Sequence, residues 1–465
     1  MRITGILIII AALVIPLPWF FELAPRFDGG ALFSQYLGAS ALILMAIIQL
    51  QATRMRWLET VFGSLDRIYI LHKWSAVLAI GAVLLHDTLD AEFKVGNENS
   101  LSDLAEQLGE FSYYGLLILG AASVVTLIPY RIWRWSHRFI GIFFILGATH
   151  YVLIEKPFNL TDPIGVYILG FCILGSLSYI ACLFRASLMK GGSYKVASIE
   201  RSSSLNHIIL EPGGKHLGHK AGQFAFLKFH IPGFNETHPF TISSGPQQDG
   251  TLRFSIASLG DYTGRLASQL RVGSFATVHG GYGHFLAPRS KGLQIWIGAG
   301  AGVTPYLAWL QALSPETHRE IHLYICGRGS RDRTIFDEFT NSAKRLPQVT
   351  LHLIDTDREP RLTSSLLQST HGDTLKNATV AFCGPTQMRK TLAEDLVQLG
   401  HSRRRFLYEA FELRTGLGLG APLLRLIEQL FGSHERLIMR FRHYLPRKFA
   451  DPIADWLSVQ LQQTK

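Results

Sequence analysis

Residues 68–89 read IYILHKWSAVLAIGAVLLHDTL, and residues 134–154 read RWSHRFIGIFFILGATHYVLI. Each is apolar over the length of a bilayer-spanning helix, which takes about 17–25 residues. Each also carries two histidines, His72 and His86 in the first and His137 and His150 in the second. Histidine is scarce in membrane spans and marks function there. A single one reads most simply as a hydrogen-bonded packing residue. Four at two depths do not. As helices, the first pair is separated by about 21 Å along the axis and the second by about 20 Å. In parallel spans His72 stands level with His137, and His86 with His150. Two imidazoles facing each other across a flat ring are the ligand set of a bis-histidine haem, and two levels hold two. One feature resists this picture. At about 100° per residue His72 and His86 fall within roughly 40° of one face, whereas His137 and His150 lie about 140° apart. The second segment is expected to be distorted near Gly141 or Gly147, or to hold His137 at a loosened helix entry.

Around these segments, the 465 residues are 48% hydrophobic and only 17% charged, with a mean hydropathy of +0.18. Such a chain is neither disordered nor an ordinary soluble enzyme. Four more apolar segments, 3–21, 31–53, 111–130 and 163–184, bring the expected membrane helices to six. The first lacks a clear small-residue cleavage site, so it is read as a helix and not a leader. Arg54, Arg56 and Arg67, then Arg131, Arg134 and Arg138, then Arg185, Lys190 and Lys195 cluster at alternate connections. Between the third and fourth segments Asp87, Asp90, Glu92, Glu98, Asp103, Glu106 and Glu110 accompany a single Lys94. The excess of Lys and Arg on cytoplasmic loops then puts both termini in the cytosol. The net charge of +10 has the same cause, and no nucleic acid partner is expected. Four cysteines, Cys172, Cys182, Cys326 and Cys383, make no disulfide framework.

After residue 190 the pattern changes. Short strands separated by Gly, Pro and polar turns over 193–288 predict an antiparallel barrel. From 293 to 412 strands alternate with helices, which predicts a parallel α/β sheet. Gly298-Ala299-Gly300-Ala301-Gly302-Val303-Thr304-Pro305 lies where a strand becomes a helix. Glycines there let backbone amides approach a phosphate at the positive end of a helix. A second strand end, Cys383-Gly384-Pro385, is expected to open onto the same crevice.

Taken in order, the paired histidines, His238-Pro239-Phe240-Thr241-Ile242-Ser243-Ser244, Gly260-Asp261-Tyr262-Thr263, the Gly298–Pro305 turn and Cys383-Gly384-Pro385 resemble the NADPH oxidase and ferric reductase transmembrane family with its ferredoxin–NADP reductase-like module. The resemblance covers residues 1–414. It implies a multidomain membrane protein with a six-helix transmembrane di-haem domain at 1–190, an antiparallel β-barrel FAD domain at 191–290 and an α/β NADPH-binding domain at 291–414. It further implies FAD contacts at His238, Pro239, Phe240, Thr241, Ser244, Gly260 and Thr263, and haem iron on His72, His86, His137 and His150. Gly298, Gly300, Gly302, Thr304 and Pro305 would line NADPH, with Cys383 and Gly384 beside its nicotinamide. Arg328, Arg331 and Arg333 suit a 2′-phosphate, since a guanidinium matches phosphate oxygens. Phe411 resembles the aromatic that covers the flavin ring, although here the chain runs on past it. The tail, 415–465, is basic and amphipathic and suits either a membrane surface or the enzyme's own cytosolic domain.

The implied activity is electron transfer from cytosolic NADPH through FAD and two b-type haems to an acceptor outside, in a bacterial inner membrane. No side-chain acid or base is required. Dioxygen, giving superoxide, is favoured by the histidine spacing. A ferric chelate is favoured by the acidic outer loop. A non-catalytic haem scaffold or sensor would be expected to lack a flavin or nucleotide motif, and every motif is present.

Overall fold

Unbroken runs of Leu, Ile, Val and Ala make the first part of the chain helical. In the computed structural model, which describes residues 2–89, 100–124, 130–184, 191–234, 236–258, 261–316 and 319–409, these helices form one unit and the residues from 191 onward a second. In the first unit, α1 (Ile3–Val14) and α2 (Leu17–Leu23) meet at Pro16. α3 (Gly29–Ala52) begins at Asp28, whose carboxylate accepts the Ala31 amide at 2.9 Å as an N-cap. The short α4 (Leu58–Phe62) precedes α5 (Leu65–Thr88), which carries His72 and His86. Then come α6 (Ser100–Val124), α7 (Tyr130–Ser136), α8 (Ile140–Leu153) and α9 (Pro163–Leu183). α3 is the most buried of them, enclosed by its neighbours along most of its length. Small residues permit the close crossings. A Cβ on Gly175 of α9 would lie 2.4 Å from Phe144 and 2.9 Å from the Ala46 backbone.

Among the described residues four helices are long and apolar enough to cross a membrane: Ile3–Leu23, Gly29–Ala52, Leu65–Thr88 and Pro163–Leu183. The fourth expected segment, 111–130, runs past Val124 into residues outside the described ones, and the fifth is not one of the four. α6 starts well before residue 111 and takes Asp103, Glu106 and Glu110 into its first turns. The fifth is interrupted, because His137–Phe139 forms a 3₁₀ turn between α7 and α8.

In the second unit β1 (Gly192–Glu200), β2 (Leu205–Pro212), β3 (Phe224–Phe229), β4 (His238–Thr241), β5 (Leu252–Ala257) and β6 (Phe275–Tyr282) form a sheet in the order β4-β3-β6-β1-β2-β5. An antiparallel bridge from Ile242, just past β4, to Phe254 in β5 joins its two edges, so the sheet closes as the expected barrel. Tyr194, Leu210, Leu227, Phe229, Phe254 and Val278 fill it. β7 (Gln294–Ala299), β8 (Ile321–Gly327), β9 (Val349–Asp355), β10 (Thr379–Cys383) and β11 (Phe406–Glu409) follow as a parallel sheet ordered β11-β10-β7-β8-β9. The chain runs outward from β7 to β9 and returns to the other side of β7. Ligands bind such sheets at this reversal, beyond the strand ends. Leu205 and Phe285 from the barrel share one core with Trp296, Tyr306 and Trp309.

Candidate redox site

His72 and His137 face one another with ring centres 6.3 Å apart. A metal–imidazole bond of about 2 Å, plus about 1 Å from nitrogen to ring centre, sets two rings sharing one metal about 6 Å apart. The 3₁₀ turn at His137–Phe139 supplies the loosened helix entry, and it turns His137 toward α5 although His150 lies on a different face of the regular helix. His150 in turn lies within electrostatic reach of His86.

Hydrogen bonds on the far side of three rings decide their tautomers. His86 Nδ1 lies 2.8 Å from the Ser34 carbonyl, and His150 Nδ1 lies 2.7 Å from the Ala105 carbonyl. A carbonyl only accepts, so both Nδ1 atoms carry the proton. His137 Nδ1 meets Ser123 Oγ at 2.9 Å, and that hydroxyl already donates to the Leu119 carbonyl at 2.7 Å, so His137 Nδ1 donates too. In each ring the Nε2 lone pair is left for a metal, as second-shell partners do in metal sites. His72 Nδ1 is buried outside strict hydrogen-bond geometry, with the Ile48 carbonyl on its side. Glycines make room for two rings. A Cβ on Gly38 would sit 3.2 Å from His86 Nε2, and one on Gly109 would sit 2.8 Å from His150 Nδ1. Gln51 at the end of α3 is 1% exposed, and neither atom of its amide has a partner among the described residues. An orphaned buried amide of this kind calls for a polar group that the protein alone does not supply. The His72–His137 pair fits bis-histidine ligation of a haem, and the Nδ1 partners of His86 and His150 suit the same role.

In the barrel, His238, Pro239, Phe240 and Thr241 form β4, paired with β3 from Leu227 to Phe224. His238 lies against Tyr262, ring centres 3.8 Å apart, and its Nε2 is 3.2 Å from Glu236. Burial pushes the Tyr262 phenol up to about 12, and its hydroxyl has no partner among the described residues. Ser244 is buried, and its Oγ accepts the Arg253 amide at 3.0 Å. Thr263 lies in the first turn of the helix Asp261–Gln269. Gly260 and Phe411 lie outside the described residues, as does the 415–465 tail.

At the reversal point Cys383 pairs in register with Gly298, so the two strand ends expected to share a crevice do so. A Cβ on Gly302 would strike the Cys383 carbonyl at 2.2 Å, so only glycine lets the two turns touch. Gly300, at φ +58, faces open space. The 3₁₀ turn Gly300–Val303 leads into the helix Thr304–Ala312 with Pro305 in its first turn, a position that needs no amide proton. The Thr304 hydroxyl donates to the Ala301 carbonyl at 2.9 Å and thereby braces the turn. Burial, then Glu409, push the Cys383 thiol far up, so it stays protonated.

Several residues here are not singled out by the sequence. The Tyr306 hydroxyl donates between the Ile297 and Ala381 carbonyls at 2.9 and 2.8 Å, stapling β7 to β10 under the crevice. Glu409 is buried at the end of β11. Beside the exposed Arg328, Arg331 and Arg333, three carboxylates occupy the start of the helix Gly329–Ala343. Asp332 accepts the Arg328 amide at 2.8 Å, Asp355 the Gly329 amide at 2.7 Å and Asp357 the Ser330 amide at 3.0 Å. Arg333 itself pairs with Asp337 at 3.4 Å. β9, which ends at Asp355, and β8, which leads into the arginine-bearing helix, are neighbours only after folding, which hides the pairing from a linear reading.

The chain is thus a helical unit with paired histidines, followed by a closed barrel and a parallel sheet with a glycine turn at its reversal point. Its parts match known ones. Residues 37–148 match the ferric reductase like transmembrane component, 194–285 the FAD-binding domain and 296–394 the oxidoreductase NAD-binding domain. The chain therefore joins a ferric reductase-like transmembrane component to an FAD-binding domain and an oxidoreductase NAD-binding domain. It is 27% identical to the propane 2-monooxygenase reductase component of Rhodococcus jostii, over 45% of this chain and 59% of that one. It is 28% identical to a superoxide-generating NADPH oxidase heavy chain of Dictyostelium discoideum, over 36% of this chain and 38% of the other. Against the ferric/cupric reductase transmembrane component 2 of Schizosaccharomyces pombe it is 24% identical, over 45% and 36%. Each match spans less than two thirds of the relative's length.

Proposed function

We propose that this chain carries electrons from NAD(P)H in the cytosol, through FAD and two b-type haems, to an acceptor across the membrane. Flavin takes two electrons as hydride and releases them singly, and haem carries one. His72 and His137 would hold the inner haem, and His86 and His150 the outer. The Ser34 and Ala105 carbonyls and the Ser123 hydroxyl keep the Nδ1 proton in place and turn Nε2 toward iron. β4 and the helix after Gly260 would hold FAD. The Gly298–Pro305 turn would take the NAD(P)H pyrophosphate, and Cys383 and Gly384 would flank the nicotinamide. Of the two nucleotides we favour NADPH, through Arg328 and Arg331, with discrimination limited by Asp355 and Asp357. Six spans with both termini in the cytosol complete the reading, most simply in a bacterial inner membrane.

Dioxygen, reduced to superoxide, is the favoured acceptor, supported by the histidine spacing and by the named activity of the Dictyostelium relative. A ferric chelate is the second reading, supported by Asp87, Asp103, Glu106 and Glu110 on the outer side and by the name of the yeast relative. The observation that carries the whole is the 6.3 Å separation of His72 and His137. The test is NADPH oxidation by purified protein, with dioxygen and ferric chelates compared. Cytochrome c reduction that superoxide dismutase abolishes supports dioxygen. Reduction that persists, with fast chelate turnover, supports iron.

A further inference from the structure

The barrel and the parallel sheet belong to one unit, and the helix Gly329–Ala343 of the sheet leans on the barrel at two places. Near its start, Ser203 in the β1–β2 turn donates its hydroxyl to the Arg331 carbonyl at 2.5 Å. Two turns on, Glu338 meets Arg253 of β5 in a bidentate pair, Nη1 to Oε1 at 2.5 Å and Nη2 to Oε2 at 3.0 Å. Their side chains are 17% and 24% exposed, so water screens the pair little. His207 of β2 stands behind it. Its Nδ1 lies 2.8 Å from both Arg253 Nη2 and the Ser255 hydroxyl. A guanidinium only donates, so His207 Nδ1 bears no proton. Its Nε2 lies 3.8 Å from Glu338.

The backbone of Arg253 is built into the other motif. Its amide donates to Ser244 Oγ at 3.0 Å, and its carbonyl accepts the Ser243 amide at 2.8 Å and the Ser243 hydroxyl at 3.1 Å. Gly245, which follows Ser244, donates its amide to Gln311 on the helix Thr304–Ala312 at 3.0 Å. One residue therefore holds the end of the His238–Ser244 segment with its backbone and the helix that follows Arg328 with its guanidinium.

We infer that Arg253 and Glu338 are positioning residues whose ion pair sets the approach of the nicotinamide to the flavin. The inference rests on the reading of His238–Ser244 as a flavin segment and of Gly298–Pro305 with Cys383-Gly384 as the NAD(P)H crevice. Two domains in one chain move relative to each other unless their interface restrains them. Hydride transfer, one hydrogen and two electrons from NAD(P)H to FAD with NAD(P)⁺ released, needs reacting atoms about 3–3.5 Å apart. A bidentate guanidinium–carboxylate pair fixes direction as well as distance, which apolar contact does not.

The test uses the full-length, FAD-loaded protein mixed rapidly with NADPH or NADH without oxygen. Arg253→Met and Glu338→Gln are each expected to lower the limiting rate of flavin reduction roughly 10- to 100-fold. Both should weaken the flavin–nicotinamide charge-transfer absorbance, while FAD content and nucleotide Kd hold. The reversed pair, Arg253→Glu with Glu338→Arg, is expected to recover part of the rate. A loss of thermal stability with an unaltered limiting rate and charge-transfer band overturns the inference, and so does a change confined to nucleotide Kd. Should Arg253→Met fail to fold, the near-isosteric Glu338→Gln carries the same test. If neither nucleotide reduces the flavin of the unaltered protein, the site reading itself fails. Normal reduction there, with normal rates in both variants, removes this inference alone.

Discussion

At the scale of single residues, three of the four paired histidines are set apart less by their burial than by what lies behind the ring. A carbonyl or a committed hydroxyl takes the Nδ1 proton of His86, His150 and His137. Replacing His86 by Ala is expected to remove one of two haems per chain and stop transmembrane transfer, while NADPH still reduces the flavin. Haem content per polypeptide, read from the pyridine haemochrome, checks this, and two haems in the variant would refute the ligand assignment. The nucleotide loop allows a second prediction. Asp357 has its carboxyl pKa lowered, chiefly by its bonds to Ser330 and further by Arg328 and Arg358. As a carboxylate it would oppose a 2′-phosphate bound at the proposed nucleotide loop. Asp357→Asn is therefore expected to raise kcat/KM for NADPH relative to NADH, and neutralising Arg328 and Arg331 to lower it. Steady-state kinetics with both nucleotides reads the ratio.

At the scale of elements, β8 and β9 bring three histidines together with the helix Ser364–His371. His322 Nδ1 lies 2.9 Å from His352 Nε2, and His371 Nε2 bonds the Tyr324 hydroxyl at 2.9 Å. Burial first, then the neighbouring His322 and His352, lower the His371 pKa to about 4, and burial also lowers that of His352. Both are neutral in the folded state at pH values where the unfolded chain, near 6.5, takes up protons. The unfolded state then binds more protons, so stability is complete above 6.5 and falls as pH drops toward 4. Flavin-release temperature measured across that window should fall with pH, and His371→Gln should flatten the curve. The β2–β3 connection packs against Phe285 and the helix Thr304–Ala312. Gly222 has φ +95, and a Cβ there would lie 2.1 Å from the Phe285 carbonyl and 2.3 Å from Trp309 Nε1. Gly222→Ala is expected to cost about 1–3 kcal/mol through overpacking, with backbone strain added. Denaturant unfolding followed by flavin fluorescence gives the value.

At the scale of the whole molecule, haems held by His72 with His137 and by His86 with His150 would have histidine at both protein ligand positions and no vacant iron site. Carbon monoxide and cyanide are accordingly expected to inhibit poorly, and strong carbon monoxide binding would contradict the paired-ligand reading. Much of this organisation is legible in order along the chain. Apolar length marks the membrane helices, turn spacing marks the barrel, strand–helix alternation marks the parallel sheet, and the Gly298–Pro305 turn marks its nucleotide edge. These are local signals, because helix and strand periods and glycine turns are properties of adjacent residues. The boundary those signals miss is the start of α6 at Ser100, ahead of residue 111, because Asp103, Glu106 and Glu110 lie inside the helix. What only the tertiary structure decides is partnership across distance. Ser34 lies behind His86, Ala105 behind His150, Asp355 on the Gly329 amide, and Glu338 on Arg253, each pair separated by dozens of positions. Such contacts exist only once helices cross and strands pair, and they set the tautomers, the charge at the nucleotide loop and the fit of one domain against the next.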